Sequence, residues 1–246
     1  MFLYLPAIFQ SLIVSLILEL MLLHRGFFWI YFVVFLAISL ISFRIYSKVW
    51  SGWFIAGIFY ASIWAILHLI DYDVERHIFI AIGALVNYFL LFGIYRIAKK
   101  PDSETAKSII AMSNMAVIFL FFSASYGVYL NFDIPSWLLM TFYFFNIALI
   151  SYQYFVLIGE ENKRKVLVYS LILGFGVLEM GWVINFWPFG YLTTGTILLM
   201  FYYIIWDLSQ NYFKNILSVK KVLVNLIFFM IASSVVLYSS IWLPNI

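Results

Sequence analysis

The chain has 246 residues, 66% of them hydrophobic, 22% aromatic and only 10% charged, with a net charge of +3. Soluble domains carry about 25% charged residues, so little of this chain can face water and no stretch remains for a soluble domain. The absence of cysteine excludes disulfides, thiol nucleophiles and thiolate metal sites, and the small positive charge, spread among short connectors, gives no nucleic-acid surface.

A helix needs about 20 mostly apolar residues to cross a hydrocarbon core of about 30 Å. In chain order, the apolar runs and their punctuation predict spans from Leu3 to Leu23, Phe27 to Phe43, Trp53 to Leu69, Ile78 to Tyr95 and Ile109 to Leu130. Four more run from Pro135 to Ile158, Val166 to Trp187, Tyr191 to Leu208 and Val222 to Leu243. The expected fold is an all-α polytopic transmembrane helix bundle forming one domain over residues 1–246, with nine spans. The shortness of spans two and three, and the tight turn from Phe186 to Tyr191, leave seven or eight crossings as alternatives. Trp29, Trp50, Trp53, Trp137, Trp187, Trp206 and Trp242 fall near proposed ends, at the headgroup level that tryptophan prefers.

Cations in short loops are retained on the cytoplasmic side. Twelve of the fourteen Lys and Arg fall in every second connector: Arg44 and Lys48; Arg96, Lys99, Lys100 and Lys107; Lys163, Arg164 and Lys165; Lys214, Lys220 and Lys221. Only Arg25 and Arg76 lie in the others, which places the N-terminus inside and the C-terminus outside a cell membrane. Residues 1–23 lack a basic n-region and an A-x-A-like site, and their apolar run exceeds the usual 7 to 15 or so of a signal peptide, so they read as a permanent helix. Pro101, Asp102, Ser103 and Glu104 read as the start of the fifth helix.

Ionisable groups within spans are expensive and usually face the bundle interior or a wet cavity. In the first span, Ser11, Ser15 and Glu19 recur at i, i+4 and i+8 as one polar stripe that should face other helices, with Glu19 close enough to the end to reach the interface. In the third, Gly57, Ala61 and Ala65 have small-xxx-small spacing, and His68 shares their face in projection, pointing into the bundle as a structural donor or as a ligand or proton group. The connector that follows holds Asp71, Asp73, Glu75 and His77, oxygen and imidazole groups of the kind that bind Mg²⁺, Mn²⁺ or Zn²⁺; a solvated acidic loop explains the same letters. Asp71-Tyr72-Asp73 is similar to the metal-diphosphate motifs of membrane glycosyltransferases, an analogy that stops at the motif because the chain has no sugar-binding domain.

In the seventh span Glu179 lies ~12 Å below the outer boundary at Trp187, at ~1.5 Å per residue. It can serve as a proton or ligand site, or as a neutral carboxyl bonded to a neighbouring helix. Gly174, Gly176 and Gly181 thin the helix beside it. Asn185, Thr193, Thr194 and Gly195 follow, so a site, if present, is expected between helices seven and eight near the outer face. Asn87, Asn146, Gln10, Gln153, Ser123, Ser125 and Tyr126 read as interhelical hydrogen-bonding groups.

No phosphate-binding loop, H-E-x-x-H or G-x-S-x-G motif occurs, and every Lys belongs to a connector, which excludes a buried Schiff-base lysine. The letters imply no particular cofactor. The favoured reading is a non-enzymatic small permease or membrane-complex subunit with a polar ligand or proton site in the outer half, built from Glu179, Glu19, His68 and Asn185. Its partners would be the lipid bilayer, other membrane proteins, or a lipid or small-molecule ligand. The alternatives are an extracytoplasmic enzyme acting on a lipid or lipid-linked substrate through His68, Asp71 and Asp73, and a passive scaffold.

Overall fold

A computed structural model describes residues 4–23, 28–47, 52–160 and 162–240. His24, Arg25, Lys48, Trp50 and Trp242, and the expected span limits at Leu3, Phe27 and Leu243, lie outside the described residues. Within them the chain is all-helical, without a strand: α1 (Leu5–Leu23), α2 (Phe28–Ser47), α3 (Trp53–Leu69), α4 (Asp73–Lys99), α5 (Glu104–Asn131), α6 (Ser136–Leu157), α7 (Lys163–Ile184), α8 (Tyr191–Phe213) and α9 (Val219–Ser239). Seven of these, all but α2 and α3, are long and apolar enough to cross a membrane.

Helix α3 occupies the expected residues. Most others run past the apolar stretch into polar sequence, because a helix ends where its backbone hydrogen bonds end rather than where its side chains become polar. The clearest case is α4, which begins at Asp73 rather than Ile78 and so takes up half of the acidic connector.

The chain forms two compact units, Met1–Leu120 with Gln153–Glu161, and Phe121–Tyr152 with Asn162–Ile246. Both α5 and α6 begin in one unit and end in the other.

In the first unit, α1 packs on α4 and α2, and α2 packs on α3 and α4. The Ser11, Ser15 and Glu19 stripe faces α4 as its spacing implied: Ser11 meets Asn87 and Glu19 meets His77. At the centre is a directed hydrogen-bond chain. Gln10 Nε2 donates to Tyr60 Oη at 3.2 Å, Tyr60 Oη to Asn87 Oδ1 at 2.8 Å, Asn87 Nδ2 to Ser11 Oγ at 3.2 Å, and Ser11 Oγ to the Ala7 carbonyl at 2.8 Å. The chain leaves α1 at Gln10 and returns to it at the next residue.

Gly52 turns the backbone into α3 with φ +109°, a left-handed conformation that suits glycine. The first N–H groups of a helix have no partner within it. Gln153, in the last turns of α6, supplies one: its Oε1 accepts from the N–H of Gly52 and Phe54 at 3.2 Å each, and of Ile55 at 3.4 Å.

In the second unit, α7 packs on α8 and α8 on α9. Two glycines of α7 mark its contact with α6. A Cβ at Gly174 would lie 2.6 Å from the Phe144 carbonyl oxygen, and one at Gly181 would lie 3.0 Å from Tyr143 Cδ2. On α8, Gly195 is pressed against Ser123 of α5, where a Cβ would stand 3.0 Å from the backbone nitrogen. The Ser151 and Tyr202 hydroxyls, 3.1 Å apart and buried, join α6 to α8.

Candidate functional site

Glu179 is exposed. The phase of the helix explains why. With about 100° per residue, Gly174 and Gly181 fall on one side of α7, and Glu179 lies ~160° from Gly181, on the opposite side. Its neighbours there are Phe175 (54% exposed), Trp182 (56%) and Phe186 (69%). Its carboxyl therefore stands on an apolar outward face, ~8 Å from the end of α7 at Ile184 at ~1.5 Å per residue.

Asn185 follows Gly181 by one turn and so continues the face that meets α6. It is half-buried, its backbone N–H closes on the Gly181 carbonyl, and its side-chain Oδ1 has no hydrogen-bond partner. Below it, other buried polar atoms gather where α5, α6 and α8 meet. Ser123 Oγ and Tyr143 Oη are buried without a hydrogen-bond partner, and Thr194 Oγ1 is buried close by on α8. Ser123 abuts Gly195, and Tyr126 approaches both Thr194 and Tyr143. Of these three hydroxyls only that of Thr194 belongs to the stretch that the sequence marked; Ser123 and Tyr143 come from α5 and α6, which spacing within one helix does not reveal.

The other sequence candidates occupy separate places. Glu19 on α1 and His77 on α4 are hydrogen-bonded, with both carboxylate oxygens within 2.9 Å of His77 Nδ1 and both side chains substantially exposed. A pair so open to solvent contributes at most about 1 kcal/mol. His68 is exposed rather than turned into the bundle; its Nδ1 donates to the Trp64 carbonyl at 2.7 Å and its ring lies 5.1 Å from that of Trp64. Projection puts it with Gly57, Ala61 and Ala65, but those three are only half-buried, and the buried side of α3, with Ile55, Phe59, Ile63 and Ile66, lies opposite.

Asp71 precedes α4 and is exposed, as are Asp73 and Glu75 in its first turn. There the acids complement the helix dipole. Asp73 is taken by Arg76 at 2.8 Å, and Arg76 Nε also donates to the Ile70 carbonyl. Among the described residues no group of three or more His, Cys, Asp or Glu gathers closely enough to hold a metal ion.

One polar cluster escaped the sequence reading. Asp207 Oδ2 on α8 accepts from Asn211 Nδ2 and from Asn225 Nδ2 on α9, each at 2.8 Å, while Lys221 Nζ donates to Asn211 Oδ1 at 3.0 Å. Asp207 and Asn211 are spaced i, i+4, as are Lys221 and Asn225, so each helix offers two polar groups on one face. That double spacing on either side of a short connector was the available signal. The cluster clasps α9, which has no fully buried residue of its own, to α8.

The family described as "Protein of unknown function (DUF5656)" matches residues 42–239. No curated protein and no solved structure matches the chain. The matched stretch contains α3 to α9, with Glu179, Asn185, His68 and the Asp207 cluster, whereas Gln10, Ser11 and Glu19 precede it. Since the match spans well over half of its length, the chain belongs to this family of proteins of unknown function.

Proposed function

We propose that the protein is a non-enzymatic, multi-pass subunit of a larger assembly in the cell membrane, docking to its partner through the outward face of α7 around Glu179. The proposed topology has nine crossings in one transmembrane domain, the N-terminus inside and the C-terminus outside, with α2 and α3 as short spans. The cation distribution supports that orientation.

The observation that carries the reading is the place of Glu179. A carboxyl left in hydrocarbon is costly, and such groups normally pair with another polar group. Among the described residues no ion pair reaches it, and the exposed Phe175, Trp182 and Phe186 share its face. A partner helix presenting a hydrogen-bond donor or a cation at that depth would satisfy the carboxyl and cover the aromatic side chains together. A permease would place the group inside its own bundle, so this position favours the subunit over the transporter.

The test is photocrosslinking in intact membranes from a reactive residue replacing Trp182. The expected result is a discrete adduct to one membrane protein that weakens at least tenfold when Glu179→Ala is added. Labelling of lipid alone, or an adduct indifferent to Glu179→Ala, refutes the proposal.

A further inference from the structure

The hydrogen-bond chain in the first unit is incomplete at one end, and its polarity says what is missing. Gln10 Nε2 lies 3.3 Å from the Ser39 carbonyl on α2, which can only accept, so the amide nitrogen must face it. With the nitrogen there, Tyr60 Oη accepts from Gln10 and must spend its own hydrogen on Asn87 Oδ1. Asn87 then donates to Ser11, and Ser11 to the Ala7 carbonyl. No donor is left for Gln10 Oε1. That atom and Ser39 Oγ both lack a hydrogen-bond partner, and both residues are completely buried.

We infer that Gln10 Oε1 and Ser39 Oγ bind a small neutral hydrogen-bond donor, namely a water molecule, between α1 and α2. The occupant donates one hydrogen to Gln10 Oε1 and exchanges a second bond with Ser39 Oγ, which can donate or accept. Buried waters typically make two to four such bonds, at sites where protein groups lack other partners. It is neutral because the chain from Gln10 to Ala7 contains no charged side chain to balance an ion, and Phe35, edge-on to Tyr60 at 5.5 Å, adds only apolar wall. It is small because Gln10 and Ser39, and Phe35 and Tyr60 beside them, are all fully buried. With the water in place, polar groups of four helices form one continuous chain from Ser39 to Ala7. This inference concerns the first unit and stands independently of the docking role given to α7.

Two measurements on the full-length protein test it. A high-resolution density map is expected to show an ordered peak within hydrogen-bonding distance of both atoms. In thermal unfolding, Ser39→Ala removes one bond to the water and is expected to lower the midpoint by about 2–4 °C. Adding Ser39→Ala to Gln10→Met is then expected to cost less than it does in the parent, because the water has already lost its anchor. A map with no peak between the two atoms overturns the inference. So does a Ser39→Ala protein as stable as its parent or more so, the result for a hydroxyl that bonds to nothing.

Discussion

Replacing Gly174 by alanine tests the packing that turns Glu179 outward. The added Cβ would lie 2.6 Å from the Phe144 carbonyl oxygen, 3.2 Å from Ala148 Cβ and 3.3 Å from Phe144 Cδ2. The first is backbone of α6, and a rotamer change cannot relieve it. The two helices must separate or slide, an overpacking cost of about 1–3 kcal/mol. Alanine recovers up to about 1 kcal/mol through its better helix propensity, so the net loss is about 1–2 kcal/mol. For a chain of this size that lowers the unfolding midpoint by about 2–8 °C. The assay is thermal unfolding in mild detergent, followed by tryptophan fluorescence and by recovery of monodisperse protein. Gly190→Ala is the matched control: nothing lies within 4 Å of its Cβ position, and its φ of −70° suits any residue. It should shift stability by less than about 0.5 kcal/mol. A Gly174→Ala protein as stable as the parent would show that α6 and α7 do not meet there, and the argument from helix phase would fall with it.

Gln153→Ala removes the acceptor shared by three N–H groups at the start of α3. Loss of a cap costs about 0.5–2 kcal/mol, and faster hydrogen exchange should appear at Phe54 and Ile55, whereas Gln153→Glu keeps an acceptor and should protect them. Equal exchange in the alanine variant would contradict the capping role. Asp207→Leu leaves the Asn225 amide without its acceptor, while the Asn211 amide keeps the Asp207 carbonyl. The deprived amide costs about 1–3 kcal/mol if it remains buried, so the connector before α9 should be cut more readily by protease, with Asp207→Asn intermediate. Unchanged cleavage in Asp207→Leu would show that the cluster does not hold α9.

What the sequence made legible follows from what each signal measures. Hydropathy locates apolar stretches, so α3 appeared at its true limits, but it is blind to polar residues that continue a helix, and so α4 was begun at Ile78 instead of Asp73. The i, i+4 spacing of Ser11, Ser15 and Glu19 correctly turned that stripe toward a neighbour, because one straight helix presents one phase. The cost of an ionisable group within a span turned Glu179 toward the interior, whereas it is exposed. The information was in Gly174 and Gly181, whose shared side identifies the packed face, and the carboxyl is nearly opposite. His68 is exposed because the small-xxx-small face it shares is not the packed one: Gly57, Ala61 and Ala65 are only half-buried, while Ile55, Phe59, Ile63 and Ile66, all buried, lie on the opposite side of α3. The convergence of Ser123, Tyr143 and Thr194, and the clasp of Asp207 with Asn225, depend on which helices lie side by side, which periodicity within a single helix does not encode.

The cap on α3 has a consequence for how the protein is made. Gln153 is 101 residues downstream of the Gly52 N–H it accepts from, so the early helices leave the ribosome well before the group that completes α3 is synthesised. Until α6 is made, the beginning of α3 must rely on water or another acceptor. A truncated nascent chain ending before Gln153 would thus hold its first three helices in a provisional arrangement, and maturation of the amino-terminal half waits on late translation.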